Sequence, residues 1–258
     1  MIKDKIKSGN KIIGTHLTMG NYWIADIFGM SGVDYVWIDT EHGPMDYEKL
    51  LQCITVLKAH GTAVFVRTQI DDFNHTKRLL EMGIDGIIFP VVQNAEQAKK
   101  CLSYTFYPPK GIRGFGPARA VEYGKINATD YIKNESSLCR FVQIETQTSV
   151  EKLESILQNE DIDGFILGPC DMAINCGDGV NYFGNKTLPQ IKKAIEILKL
   201  HNKYIGVSIG STDKDHQKEW IKLGVDMISV GGDTAFVFEG INRSVKQLSE
   251  LCKTEIIY

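Results

Sequence analysis

The sequence lacks any apolar run near the roughly 20 residues that a membrane-spanning helix needs. Its first stretch, 1–7, is charged and has no apolar core of the kind that signal peptides carry. The net charge of −3 argues against a nucleic acid or an anionic membrane as a partner. We therefore expect a cytoplasmic protein that acts on small molecules, without nucleic-acid or membrane partners.

Paired cysteines are also absent. The six cysteines are scattered and form no Cys-x-x-Cys motif, so we expect buried or free thiols in a reducing compartment, with neither a disulfide framework nor a zinc site. Cys170 stands next to an acidic residue but has no histidine near it in sequence. We interpret it as a small space-filling residue rather than a nucleophile.

Short apolar runs alternate with amphipathic stretches from one end of the chain to the other. The pattern predicts strands at 11–17, 34–39, 62–67, 86–90, 140–145, 163–171, 204–208 and 226–231, the sixth running through a Gly-Pro turn. A long loop is predicted at 107–125 and a helix at 149–158. Eight strands alternating with helices in 258 residues predict an α/β fold, a single (β/α)8 TIM-type barrel domain over 1–258. A doubly wound open sheet is the alternative.

Two carboxylates end the fifth and sixth predicted strands. Glu145 ends an apolar run in which it shares one face with Gln143, and Asp171 follows the next apolar run. A buried carboxylate needs a cation or a strong donor, and two on consecutive strands would form a hard-cation site. The alternative is that both are exposed loop acids.

The second strand ends in the motif Asp39-Thr40-Glu41-His42. An aspartate three residues before a histidine can hydrogen-bond one ring nitrogen and leave the other free to act as a base. The alternative is an ordinary loop histidine.

Arg67 ends the third strand, directly after Ala63-Val64-Phe65-Val66. Its guanidinium is suited to bidentate hydrogen bonding with a substrate carboxylate. An ion pair with Glu145 or Glu41 is the equally weighted alternative. A cation, an arginine and an activated histidine together suit 2-oxo-acid chemistry, in which the cation stabilises an enolate. Because no lysine lies clearly at a strand end, a Schiff-base mechanism is disfavoured.

Several motifs occur together in one order along nearly the whole chain. They are Val36–His42, Val66-Arg67, Tyr107–Gly114, Val142–Thr146 and Gly168–Asp171. With them the sequence resembles the HpcH/HpaI family of class II, metal-dependent pyruvate aldolases. The resemblance implies reversible cleavage of a 4-hydroxy-2-oxo acid, such as 4-hydroxy-2-oxoheptanedioate or 2-dehydro-3-deoxyglucarate, to pyruvate and an aldehyde.

The same resemblance implies a role for each matching residue. Glu145 and Asp171 would bind Mg²⁺, Mn²⁺ or Co²⁺, Arg67 the pyruvyl group, and Gln143 would support the metal site. His42 would be the base, with Asp39 as its partner. The family further implies a homohexamer, a trimer of dimers that exchange their last helices.

Three other positions bear on the substrate. Cys170 stands beside Asp171 in the expected substrate pocket, where relatives often carry alanine or serine. His16 stands where they often carry tryptophan. Arg119, in Gly116–Ala120, is a candidate for binding a second carboxylate, with a surface-loop arginine as the alternative.

Three rival functions remain open. An acyl-CoA lyase would share the barrel and a carboxylate-held magnesium, but would want a basic cleft. A citrate-forming enzyme would also use this fold. A non-catalytic metal- or metabolite-binding barrel is disfavoured, because an acid, a base and an arginine are all present.

Overall fold

The computed structural model describes residues 2–209 and 211–252. Residues 1, 210 and 253–258 of the predicted domain lie outside this part of the chain. Eight parallel strands close into a barrel in which each pairs with the next and β8 pairs with β1. The strands β1–β8 are Ile12–Leu17, Tyr35–Asp39, Ala63–Arg67, Gly86–Phe89, Cys139–Ile144, Gly164–Leu167, Ile205–Val207 and Met227–Gly232. The predicted TIM-type barrel is confirmed.

Helices follow or precede the strands around the barrel. The helices α1–α12 are Ile2–Lys7, Tyr22–Met30, Tyr47–Ala59, Phe73–Glu81, Ala95–Ser103, Ala128–Lys133, Gln147–Glu151, Leu153–Ile156, Pro169–Cys176, Thr187–Leu200, Lys214–Leu223 and Asp233–Cys252. Two short 3-10 helices span Arg119–Gly124 and Glu135–Ser137. Of the described helices, none is long and apolar enough to cross a membrane.

Alternation along the strands sorts their side chains into two layers. Phe65 and Phe141 belong to a buried cluster inside the barrel, whereas Val64, Val66 and Val142 pack in the layer between the strands and the helices. The period-two phase predicted for the third and fifth strands is confirmed. Because of this alternation, the inner-face side chains at the ends of these strands point into the barrel interior.

Three elements differ from the sequence prediction. Helix α1 was not predicted; it buries Ile6, while Lys3 donates to the carbonyl of Leu138 at 2.6 Å and to Asp163 at 2.8 Å. The helix predicted over 149–158 is divided into α7 and α8. The sixth strand ends at Leu167, and the Gly-Pro pair begins helix α9, because proline at the first helical position is preorganised for a helix.

Candidate active site

Three ionisable residues meet at the carboxyl-terminal ends of β2, β3 and β5. Asp39 and Arg67 are the last residues of β2 and β3 and are direct register partners, and Glu145 follows the last residue of β5. Their exposed fractions are 8%, 7% and 4%. In a TIM-type barrel this end is where active sites form, so the predicted convergence of these strand ends is confirmed.

Arg67 and Asp39 form a bidentate ion pair. Arg67 donates from Nε to Oδ1 at 3.0 Å and from Nη2 to Oδ2 at 2.6 Å. Burial opposes ionisation of Asp39, but the hydrogen bonds and charge of Arg67 hold the pKa of Asp39 below its usual range. Arg67 Nη1 also lies 3.2 Å from Glu41 Oε2. The ion-pair interpretation of Arg67 is thus confirmed for Glu41, while the contact with Asp39 was not foreseen.

The contact predicted between Asp39 and the ring of His42 does not form. Asp39 Oδ1 instead accepts from the backbone amides of Glu41 at 3.1 Å and of His42 at 3.4 Å, because the strand register sets its carboxylate against Arg67. The neighbour of the His42 ring is Glu41, whose Oε2 lies 3.7 Å from Nε2. The His42 side chain is 66% exposed. Burial raises the pKa of Glu41, and the positive charge of Arg67 opposes that rise.

Glu145 is held by two donors in a crowded acidic environment. Its Oε1 accepts from the Val91 amide at 2.6 Å, and its Oε2 accepts from Gln143 Nε2. Burial raises the pKa of Glu145 to about 7, and the negative charges of Asp171 and Glu41 add to this effect. The other amide atom of Gln143, Oε1, is buried without a hydrogen-bond partner.

The backbone around Glu145 has two features that sequence reasoning missed. Val91 has a φ of 54°, a conformation that costs a β-branched residue free energy, and this turn directs its amide at Glu145. At Gly168 a Cβ would lie 2.6 Å from Glu145 Oε2 and 2.8 Å from Gln143 Nε2, so only glycine leaves room for both side chains. The Gly168–Asp171 motif could have suggested the second feature; only tertiary structure shows the first.

Asp171 and Cys170 both lie in the first turn of α9, and both are exposed. Asp171 is close enough to raise the pKa of Glu145 through its charge. Partial desolvation of the Cys170 sulfur, followed by the charge of Asp171, raises the pKa of that thiol even though the residue is exposed, which disfavours the thiolate that a nucleophile requires. The structure therefore offers no support for nucleophilic catalysis at Cys170.

His16 lies at the end of β1 beside the ion pair. Its ring centroid is 5.0 Å from that of Trp37, and its Nε2 is buried without a hydrogen-bond partner. Burial and the positive charge of Arg67 lower the pKa of His16 to about 4, so its ring is neutral at pH 7.

Arg119 is not brought to this site. It begins a 3-10 helix in the connection from α5 to β5, and connections of this kind lie at the amino-terminal end of a barrel. Its neighbour Ala120 packs against Gly83, where a Cβ would lie 3.2 Å from the Ala120 Cα. Arg119 lines an outer cavity of about 440 Å³ together with Tyr47 and Tyr123. The substrate-binding role of Arg119 is not tested by these contacts and stays a prediction.

The acidic residues fit a hard divalent cation better than a transition metal with nitrogen or sulfur ligands. Among residues 2–209 and 211–252 no group of three or more His, Cys, Asp or Glu residues could hold a metal ion. Magnesium, however, is commonly bound through one or two carboxylates, with water and substrate filling the remaining positions. Glu145 and Asp171 would supply such a pair, and Gln143, whose Oε1 is buried without a hydrogen-bond partner, donates to Glu145 from Nε2.

Known proteins resemble this chain in sequence. The HpcH/HpaI aldolase/citrate lyase family matches residues 13–239. A 4-hydroxy-2-oxo-heptane-1,7-dioate aldolase of Salmonella dublin is 32% identical over 243 residues, which cover 92% of this chain and 90% of that protein.

Solved structures show the same barrel. The HpcH/HpaI aldolase of Desulfitobacterium hafniense DCB-2 has a TM-score of 0.89 at 26% identity, covering 97% of both chains. The citrate synthase SbnG has a TM-score of 0.86 at 20% identity, covering 98% of both chains, and shows a shared fold alone. The chain belongs to the HpcH/HpaI aldolase/citrate lyase family and is an aldolase, an enzyme of the carbon–carbon lyase class.

Proposed function

We propose that this aldolase reversibly cleaves a 4-hydroxy-2-oxo acid to pyruvate and an aldehyde and that it depends on Mg²⁺, Mn²⁺ or Co²⁺. The observation that carries the proposal is the buried carboxylate of Glu145, whose pKa is raised to about 7 and which is surrounded by further negative charge. A divalent cation would compensate this charge. The name of the Salmonella dublin relative supports a 4-hydroxy-2-oxo diacid as the substrate class.

Glu145 and Asp171 would hold the cation. When bound, it would act as a Lewis acid toward the keto oxygen of the substrate. Gln143 orients Glu145 by donating to its Oε2. The Val91 amide fixes Oε1, so the carboxylate is preorganised before a ligand arrives.

Arg67 would bind the carboxylate of the 2-oxo acid. A guanidinium has five N–H donors, and Asp39 takes up one on Nε and one on Nη2, while Glu41 forms an ion pair with Nη1. At least one N–H on each terminal nitrogen therefore remains for a substrate oxygen. The substrate would bind to an arginine that is already fixed in place, which reduces the entropic cost of binding.

His42 would accept the proton of the 4-hydroxyl group, directly or through water. Its side chain is exposed at the open end of the barrel, and its nearest acidic neighbour is Glu41. We assign to Asp39 the task of holding Arg67 and, through two backbone amides, the start of the loop that carries His42. Cys170 would contribute only to the wall of the pocket.

Purified protein should first be stripped of metal and then assayed for pyruvate release from 4-hydroxy-2-oxoheptanedioate. We expect activity to require Mg²⁺, Mn²⁺ or Co²⁺, and the reverse reaction to join pyruvate to an aldehyde chosen from a panel. Borohydride reduction in the presence of pyruvate should trap no lysine adduct. Citrate formation without aldolase activity would favour the rival function instead.

We further propose that residues 1–258 form one domain and that it assembles into a homohexamer of helix-exchanged dimers. The last helix, α12, supports this because Asp233 is its one buried residue among those described. A row of large apolar side chains is exposed along it: Val237, Phe238, Ile241, Val245, Leu248 and Leu251. Such a face is typical of a contact with another subunit. Light scattering should give a hexameric mass, and Ile241→Asp should lower it.

A further inference from the structure

A buried hydrogen-bond chain lies directly behind the Arg67–Asp39 pair. Thr40 Oγ1 donates to the backbone carbonyl of Arg67 and lies 2.8 Å from His75 Nε2. The other ring nitrogen, His75 Nδ1, lies 2.8 Å from the hydroxyl of Tyr47. Thr40 and His75 are 5% and 6% exposed, so water does not compete for these contacts.

The donors and acceptors of the chain fix a single direction. A threonine hydroxyl has one hydrogen, which Thr40 gives to the carbonyl of Arg67, so Thr40 must accept from His75. His75 therefore carries its proton on Nε2 and accepts at Nδ1 from Tyr47. Burial holds the pKa of His75 below its usual range, which keeps the ring neutral, as this tautomer requires.

The two members of this hydrogen-bond chain that lie on helices, His75 and Tyr47, are anchored independently. Asp72 caps α4 by accepting from the backbone amide of His75 at 2.8 Å, so His75 is fixed in the first turn of that helix. Tyr47 is the first residue of α3, and the guanidinium of Arg78 lies 4.7 Å from its ring centroid. The chain thus joins two helices to the loop that follows β2.

Thr40 stands between the two acids that hold Arg67. The carbonyl of Arg67 also accepts from the Thr40 amide at 3.2 Å, so the same peptide group binds Thr40 twice. We propose that Tyr47, His75 and Thr40 are positioning residues that fix the Asp39–His42 loop on the end of β3 and thereby hold Arg67 ready for the 2-oxo acid. This proposal rests on the binding role assigned to Arg67 above.

The chain is suited to positioning and not to proton transfer. It ends on the backbone carbonyl of Arg67, which accepts a hydrogen bond but has no proton to pass on. Each member instead restricts the next, so that removing the central hydroxyl would free the loop and leave the Nε2 proton of His75 unpaired in a buried place.

The test compares Thr40→Val with Thr40→Ser. Valine keeps the shape but removes the hydroxyl, whereas serine retains it. Thr76→Val is the matched control, because Thr76 is the next residue of α4 and bonds Thr68 instead, at 3.3 Å. We expect kcat/KM for the 2-oxo acid to fall about 10- to 100-fold in Thr40→Val, mainly through a higher KM, as small displacements of binding groups cause. Thr40→Ser and Thr76→Val should stay within about threefold of the unaltered enzyme.

A second readout does not depend on activity. Hydrogen–deuterium exchange of peptides covering 39–46 should speed up at least about tenfold in Thr40→Val and remain unchanged in Thr76→Val. Tyr47→Phe removes only the hydroxyl at the partly exposed end of the hydrogen-bond chain. It should accelerate exchange in the same peptides, but to a smaller extent. It keeps the test intact if Thr40→Val does not fold.

The outcomes separate the two proposals. If neither Thr40→Val nor Tyr47→Phe changes exchange in 39–46, the positioning chain is refuted, whatever the enzyme catalyses. If exchange changes as expected while the unaltered protein neither cleaves nor binds a 2-oxo acid, the hydrogen-bond chain fixes the loop but the proposed function is wrong. Faster exchange with unaltered KM and kcat would refute the link from the loop to Arg67.

Discussion

Replacing Arg67 with alanine should damage both the stability and the activity of the enzyme. Asp39 is 8% exposed and would lose both hydrogen bonds to the guanidinium. Removing one partner of a buried ion pair costs about 3–5 kcal/mol, because the remaining charge is left uncompensated. At about 2–4 °C per kcal/mol for a domain of this size, the melting temperature should fall by roughly 6–20 °C. The lost transition-state stabilisation should be about 2–5 kcal/mol, which lowers kcat/KM roughly 30- to 5,000-fold.

The pH dependence of this loss identifies its cause. In the unaltered protein the pKa of Asp39 is lowered by Arg67, so the stability it contributes is present above the unfolded pKa and is lost as the pH falls through the folded one. In Arg67→Ala, burial outweighs the remaining hydrogen bonds from the backbone amides of Glu41 and His42 and raises the pKa of Asp39, so the variant loses stability as the pH rises. The difference in melting temperature between the two proteins should therefore widen from pH 5 to pH 8.

The assay is thermal unfolding at several pH values, combined with steady-state kinetics at pH 7. Arg67→Lys is the matched variant, since it keeps the charge and loses the planar fork. Asp39→Asn combined with Arg67→Ala should recover part of the lost stability, because the uncompensated charge is gone. A melting temperature within about 2 °C of the unaltered protein at every pH would refute the buried-pair argument. Near-normal kinetics would leave Arg67 a structural role alone.

Three further changes address the cation and the base. Removal of metal by EDTA should abolish cleavage and Mg²⁺, Mn²⁺ or Co²⁺ should restore it; full activity in rigorously metal-free protein would contradict the proposal. His42→Ala should still bind pyruvate in calorimetry while single-turnover cleavage slows about 100- to 10,000-fold; cleavage at the normal rate would point to Glu41 as the base. Gly168→Ala should weaken metal binding at least about tenfold, because its Cβ would meet Glu145 Oε2 at 2.6 Å, and unchanged affinity would show that the carboxylate can move aside.

Strand phase was the part of the site that sequence could predict. In the third strand the period of two sets Arg67 with Phe65, and in the fifth it sets Glu145 with Phe141, both toward the interior. These relations depend only on neighbours within one strand. They therefore follow from local alternation once the barrel is recognised.

Contacts between distant segments could not be predicted in the same way. The spacing of Asp39 and His42 allowed a hydrogen bond to the ring, but the register between β2 and β3 offers Asp39 a charged partner with two donors. The packing of Ala120, the neighbour of Arg119, against Gly83 also joins segments that are distant in sequence and has no local signature. The positive φ of Val91 likewise could not be predicted from the local amino-acid sequence, since glycine is the residue that normally marks such turns.

The charge balance of the site supports the need for a cation. Asp39, Glu41 and Glu145 are close enough to Arg67 for their charges to raise its pKa, and Arg67 forms ion pairs with the first two. Asp171 adds a fourth negative charge, which acts on Glu145 and Glu41. The hydrogen bonds to Glu145 come from neutral donors, Val91 and Gln143, which cancel no charge. The positive charge of Arg67 lowers the pKa of Glu145, but burial and the charges of Asp171 and Glu41 outweigh it. Protonation or a bound cation must then supply the missing compensation, and only the second leaves Glu145 ionised through the neutral range. The same residues that make the metal-free site electrostatically unfavourable would thus give it affinity for a divalent ion.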